Sequence, residues 1–203
     1  MKQINCLDLF SGIGGFPLGM KQANISVGWH GYSDIDKYAN QTYRRNFKNA
    51  EELGPVGDVL RKINEIPRID IVNFGFPCQD LAQGGKRRGF EGSRSSLFFE
   101  AIEIIRIKRP KFFIFENVKG FLTSNRGEDF TIALRTIADI GYDGQWQLLN
   151  TRKFLPQHRE RVYFVGYPRG ECRTGIFPIG RSVRKNKQLE KPTKSLKPYA
   201  RTL

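Results

Sequence analysis

The apolar run Ile69-Asp70-Ile71-Val72-Asn73-Phe74 leads into Gly75-Phe76-Pro77-Cys78-Gln79, so a strand delivers a thiol. A cysteine at the carboxyl end of a buried strand lies at the crevice where open α/β sheets bind ligands. A free cysteine is more commonly a small core residue, but Pro77, Gln79 and Asp80 are poor company for one. The following Gly84-Gly85-Lys86-Arg87-Arg88-Gly89 reads as a cationic loop rather than packing material. Cys78 is therefore read as a reactive thiol facing a ligand. Glu116 ends a second apolar run, Phe112-Phe113-Ile114-Phe115. Desolvation there favours a protonated carboxyl, hence acid chemistry; a capping or ion-paired glutamate is the equal alternative. Arg159 and Arg161, within Gln157-His158-Arg159-Glu160-Arg161, alternate onto one side of the chain. That suits a phosphate or a polar base edge, as well as a solvated turn.

A further group of residues would hold a ligand rather than react with it. Ile4 to Phe10 reads as a buried strand, Ser11-Gly12-Ile13-Gly14-Gly15 as the turn after it, and Pro17 as the start of a helix. Glycines let the backbone approach a ligand closely, and the helix behind them offers free amides. A dinucleotide fingerprint needs a third glycine where Pro17 stands. A nucleoside-type cofactor without a pyrophosphate fits better, and a plain connecting turn is the alternative. Ser26 to Ser33 is a second strand, ending in Asp34-Ile35-Asp36. A carboxylate about 20 residues beyond such a turn is where these folds hold a ribose. Asp34 comes first after the strand, while Asp36 also suits a helix cap. Gly57-Asp58-Val59 places a third acid at an expected strand end.

An α/β alternation must position these strand ends. Lys37 to Phe47, Leu97 to Lys108 and Phe130 to Ile140 carry helical patterns, the last closed by Gly141. Ile69 to Phe74 is the central strand, and the apolar run after Lys111 suits a strand covered on both faces. Gln145 to Asn150 and Val162 to Gly166 lie too close for a crossover helix and should pair antiparallel. The expected fold class is α/β: a mostly parallel sheet with an antiparallel terminal strand and helices on both faces.

A length of 203 residues suits one domain, or one with a fragment of a second. The formal net charge of +14 makes a polyanion the first partner to consider, nucleic acid ahead of an anionic membrane surface. No apolar run approaches the roughly 20 residues of a membrane span and the amino terminus has no signal-peptide pattern, so a cytoplasmic location is expected. Cys6, Cys78 and Cys172 are widely spaced, with His30 and His158 as the sole histidines, so neither a disulfide framework nor a metal site is expected. No second cysteine lies near Cys78 to support redox chemistry. Beyond Arg181, Arg184, Lys185, Lys187, Lys191, Lys194 and Lys197 are answered by Glu190 alone, and an extended or disordered basic tail is expected.

Phe10-Ser11-Gly12-Ile13-Gly14-Gly15, Gly75-Phe76-Pro77-Cys78-Gln79, Glu116-Asn117-Val118 and Gln157-His158-Arg159-Glu160-Arg161 together resemble the ordered motifs of DNA (cytosine-5)-methyltransferases. Any one is weak; four in order are specific. The resemblance implies a Rossmann-like S-adenosylmethionine-dependent methyltransferase fold. It also implies methyl transfer to carbon 5 of cytosine in double-stranded DNA, in a bacterial or phage-infected cell. By resemblance, Cys78 is the nucleophile that adds to carbon 6, and Glu116 is the acid at ring nitrogen 3 and the exocyclic amine. Arg159 and Arg161 would hold the flipped base and its flanking phosphate. Phe10, Gly12, Ile13, Gly14, Gly15, Asp34, Ile35, Asp58, Val59, Pro77 and Leu97 would bind the cofactor, Ile35 standing where many members carry a large aromatic. Gln79, Lys86, Arg87, Arg88, Asn117 and Gln157 would contact substrate. The loop from Gln79 to Ser96 would close over a base swung out at a cost of roughly a few kcal/mol.

Members of that family continue past the arginine pair into a target recognition domain and carboxyl-terminal motifs, and no Gly-Asn-Ser-Val stretch of that kind occurs in this sequence. The expected division is a catalytic domain over residues 1–170 and a basic tail, or the start of a truncated recognition region, over residues 171–203. Three readings follow. The chain is the catalytic subunit of a split enzyme whose second polypeptide brings recognition, or an inactive truncated product that only binds nucleic acid, or a cytosine methyltransferase acting on RNA.

Overall fold

A computed structural model describes residues 3–77, 97–153, 155–171 and 175–179. Seven strands form one sheet: β1 Ile4–Leu9, β2 Val27–Ser33, β3 Glu51–Glu52, β4 Ile71–Phe74, β5 Phe112–Val118, β6 Tyr142–Asn150 and β7 Glu160–Pro168. The helices are α1 Gly15–Gln22, α2 Lys37–Asn46, α3 Val56–Arg61, α4 Leu97–Lys108 and α5 Glu128–Asp139. The spatial order is β3-β2-β1-β4-β5-β7-β6. The chain winds outward from β1 and then returns to β4, which makes the carboxyl end of the β1/β4 pair a topological switch point. The first five strands are parallel, and β7 runs antiparallel to both β5 and β6, as the short connection between β6 and β7 requires.

Alternation along the strands sorts the side chains into two layers. Leu7, Leu9, Val72, Phe74, Phe113, Phe115 and Phe164 join Val59 of α3, Ile105 of α4 and Ala133 of α5 in the main core. Its rings interlock: Phe115 stacks on Phe164 at 4.9 Å, and Phe76 meets Phe121 edge-on at 5.4 Å. Such pairs add about 0.5–1.5 kcal/mol each beyond simple burial. Cys6, Asp8 and Asn73 point the other way and meet Met20 of α1 and Tyr43 of α2. Helices thus cover both faces, and the fold is the Rossmann-like methyltransferase arrangement that the resemblance implies.

Two sequence expectations change. Asp58 lies in the first turn of α3 rather than at a strand end. The strand before it, β3, is two exposed glutamates, too short and too polar for apolar alternation to reveal. Glu116 and Asn117 lie inside β5, not beyond it, because β7 extends the pairing as far as Val118 opposite Arg161. The basic tail beyond Arg181 falls outside the described residues. Among the described residues, no helix is long and apolar enough to cross a membrane.

Candidate active site

β5 carries Glu116 toward the carboxyl edge of the parallel strands, and antiparallel β7 brings its amino end back to the same edge with Arg161. The Nε of Arg161 lies 2.7 Å from Glu116 Oε1, and an Nη of Arg159 lies 3.8 Å from the same oxygen. Glu116 faces Tyr163 and Arg161 faces Val118, so the ion pair is a diagonal contact on one face of the ladder. Arg161 also donates to the Glu160 carbonyl at 2.8 Å, and Lys119 pairs with Glu160 at 2.9 Å. Of the two sequence readings of Glu116, a desolvated acid and an ion-paired glutamate, the geometry shows the ion pair, because the antiparallel register delivers a cation to it. Burial, and then the neighbouring Glu116 charge, raises the Tyr163 phenol above its ordinary value.

The turn Gly75-Phe76-Pro77 leaves β4 against this group. A Cβ on Gly75 would sit 3.3 Å from Glu116 Oε2, so the bare glycine lets the carboxylate lie over the turn. Asn117 donates from Nδ2 to the Phe76 carbonyl at 3.0 Å, while its Oδ1 accepts the Val118 amide at 2.8 Å. Asn117, expected among the substrate contacts, is 3% exposed and commits its amide to this turn. Phe76 is packed against Phe74, Phe98 and Phe121. Pro77, the last described residue here, leads into Cys78. Cys78, Gln79, Lys86, Arg87 and Arg88 fall outside the described residues. Leu97 resumes half-buried against the core, and Gln157 is exposed, its carbonyl accepting the Thr151 hydroxyl at 2.7 Å.

The glycine turn occupies the neighbouring strand end. Phe10, Gly12 and Gly14 have φ of 51°, 53° and 93°. Phe10 is thus held in the left-handed region, at a cost on the order of 1 kcal/mol. A Cβ on Gly12 or Gly15 would meet nothing within 4 Å, whereas one on Gly14 would lie 2.3 Å from the Phe47 ring. One side of the turn is open and the other is closed. Asp34 accepts the Gly12 amide at 2.7 Å and the Asp36 amide at 2.9 Å, and Asp36 caps α2 by accepting from Tyr38 and Ala39. Ile13 and Ile35 are 64% and 83% exposed. Asp58 pairs with Arg61, and Val59 is buried in the core. No side chain caps the amino terminus of α1, and the buried Ser11 Oγ has no hydrogen-bond partner among the described residues. An open glycine face, uncapped helix amides and an unpartnered hydroxyl fit a nucleoside that carries an amino-acid end.

Sequence reasoning missed Asp8, His30, Tyr43 and Asn73. Asp8 is buried with its carboxylate receiving the Tyr43 hydroxyl at 2.5 Å and the Asn73 amide at 2.8 Å, with His30 Nε2 at 3.1 Å. The available signal was a polar residue within each of two apolar parallel strands, since a buried polar group must find partners.

The family model for C-5 cytosine-specific DNA methylase matches residues 4–201. The chain is 45% identical over 166 residues to the Type II methyltransferase M1.ScrFI of Lactococcus lactis subsp. cremoris, covering 80% of this chain and 41% of the relative. It is 44% identical over 163 residues to the Type II methyltransferase M.NgoBI of Neisseria gonorrhoeae, covering 79% of this chain and 50% of the relative. Among solved structures, a protein assigned as a DNA modification methyltransferase encoded within an E. coli prophage superposes with a TM-score of 0.65 at 25% identity, covering 82% of this chain and 47% of that one. The chain thus spans about half the length, or less, of these relatives.

Proposed function

The chain belongs to the C-5 cytosine-specific DNA methylase family, and on that premise we propose that it transfers a methyl group to carbon 5 of cytosine in DNA, through a covalent adduct with Cys78 on a base swung out of the duplex. One observation carries this reading. Asn117 holds the Phe76 carbonyl, and Glu116, paired with Arg161, lies against Gly75, so the acid and the turn leading into Cys78 are fixed to each other.

Carbon 5 of cytosine is a weak nucleophile. Addition of the Cys78 thiolate to carbon 6 forms a carbon–sulfur bond and shifts the ring's electron pair toward carbon 5. Negative charge that would build on nitrogen 3 is met by a proton held or shared by Glu116, while Arg161 keeps the carboxyl oriented. Arg159, half-exposed beside them, faces the phosphate of the extruded nucleotide. After transfer a proton leaves carbon 5 to a base, its electron pair restores the ring double bond, and the sulfur departs. A free thiol ionises near pH 8.5, so the attack calls for a positive charge or a proton acceptor that favours the thiolate.

S-adenosylmethionine, when bound, supplies the methyl group. Gly12 and Gly15 would seat its methionine end, and Asp34 would reach its ribose while steadying Gly12. Phe10, Ile13 and Ile35 would flank the adenine, with Pro77 and Leu97 lining the same pocket. Asp58 and Val59 would approach the adenine from the first turn of α3, where Asp58 is paired with Arg61 and Val59 faces the core. Residues 1–170 make up the catalytic domain in this reading. The net charge of +14 supplies attraction for a phosphate backbone. Because the chain spans 41% and 50% of two relatives, base-edge reading is assigned to a further segment, on this or a second polypeptide.

The test is transfer of labelled methyl groups to mixed-sequence duplex DNA and, separately, to transfer RNA. Label in 5-methylcytosine of the DNA supports the reading; label in the RNA alone overturns it.

A further inference from the structure

A second, buried constellation lies behind the glycine turn. In the aligned β1/β2/β4 register, Cys6 stands beside His30 and Asp8 beside Asn73. The Asp8 carboxylate collects hydrogen bonds from three other elements: Asn73 of β4 at 2.8 Å, His30 of β2 at 3.1 Å and Tyr43 of α2 at 2.5 Å. The Cys6 thiol adds a weaker donor at 3.5 Å. His30 Nε2 also lies 2.7 Å from the Tyr43 oxygen, so the ring nitrogen reaches the phenol and the Asp8 carboxylate together. Burial, and then Asp8, hold both the Tyr43 phenol and the Cys6 thiol far above their ordinary values, so both stay protonated as donors. Ligand-type atoms of Cys6, Asp8 and His30 lie within 4.8 Å of one another, the spacing a metal ion would use. Here those atoms are already engaged in hydrogen bonds.

The network controls the height of one ring. Tyr43 stacks on Tyr32 at 4.1 Å and abuts Phe47 at 5.0 Å. The Tyr43 and Phe47 rings form the closed side of the glycine turn, reaching to 3.2 Å and 2.3 Å from where a Gly14 Cβ would be. Apolar packing alone tolerates sliding, whereas a short bond from phenol to buried carboxylate does not. On the opposite side of the turn Asp34 holds the Gly12 amide at 2.7 Å.

We propose that Asp8, His30 and Tyr43 form a buried clamp that sets the position of the glycine turn, making Tyr43 a positioning residue for the cofactor. This deepens, and rests on, the reading of the turn as the S-adenosylmethionine site. Two carboxylates define the turn, Asp34 by direct contact and Asp8 through the Tyr43 ring.

The test compares Tyr43→Phe with Tyr142→Phe in the full chain. Tyr142 is an equally buried tyrosine whose hydroxyl donates to the Pro110 carbonyl at 2.6 Å, remote from the turn. Both variants should lower the melting temperature, so stability alone cannot separate them. Two readouts on folded protein do: amide exchange at Gly12 and Gly14 without ligand, and calorimetric titration with S-adenosylmethionine. Tyr43→Phe should speed exchange at the glycine amides and weaken cofactor binding about five- to tenfold, the loss expected for one hydrogen bond. Tyr142→Phe should change neither. Unaltered exchange and affinity in Tyr43→Phe, or equal changes in both variants, overturns the clamp. Faster glycine exchange in Tyr43→Phe, in a chain whose parent takes up no S-adenosylmethionine, supports the clamp and refutes the cofactor assignment instead.

Discussion

Arg161 holds Glu116 by a 2.7 Å contact from Nε to Oε1 across the β5/β7 ladder. That contact aims the carboxyl, and its protonation chemistry is the part that catalysis needs. Glu116→Gln should therefore lower the transfer rate by about 10²–10⁴-fold with cofactor affinity unchanged. Arg161→Lys keeps the charge but loses the fixed guanidinium plane, and should lower the rate by about tenfold. Single-turnover transfer rates check both. A glutamine variant with the parent rate contradicts the role given to Glu116.

Asn117→Ala should act on both fold and rate. It removes the donor to the Phe76 carbonyl and leaves a buried acceptor without its partner, a loss of about 1–3 kcal/mol. Urea denaturation reads the stability. Because Phe76 lies two residues before Cys78, transfer should slow even where the variant is fully folded.

Gly14→Ala should abolish cofactor binding. Its φ of 93° disfavours any side chain, and the added methyl would press on the Phe47 ring. The strain is on the order of 1–3 kcal/mol. Gly15→Ala, whose Cβ would enter open space, should leave the fold intact and weaken the ligand alone. Thermal melting together with calorimetry separates the two.

Much of this arrangement was legible from the residues. Parallel strands buried on both faces read as apolar runs, and the short link between Asn150 and Glu160 demanded an antiparallel pair. Asp34 just beyond β2 and Arg161 near the start of β7 came with them. Asp36 suits a helix cap in the sequence, and it caps α2. What stayed hidden depends on register. Nothing in the sequence says that Arg161 reaches Glu116 diagonally, or that Asp8, His30 and Tyr43 converge. Asp58 was misplaced because β3 is held by pairing with β2 and not by any pattern of its own.

Asp70 should impart an acid-side pH dependence to stability. The hydrogen bond from Lys111, joined by the Asn5 amide, holds its carboxyl below the ordinary value of 3.8. A folded-state value below the unfolded one means stabilisation that is complete above about pH 4 and is lost as pH falls through the depressed value. At neutral pH, Asp70→Asn should cost about 1 kcal/mol. The gap in melting temperature between the parent and Asp70→Asn should close on acidification below pH 4, roughly the unfolded-state value. A gap that widens there contradicts the assignment.

The covalent role of Cys78 is tested most directly with duplex DNA carrying 5-fluorocytosine, incubated with the full chain and S-adenosylmethionine. Fluorine cannot leave carbon 5 as a cation, so the final elimination is blocked and the sulfur stays bound to carbon 6. The parent chain should form a complex that survives denaturation, and Cys78→Ser should form none. A complex undiminished in Cys78→Ser would contradict the assigned nucleophile, and no complex from a folded parent chain that binds both DNA and cofactor would contradict the covalent mechanism.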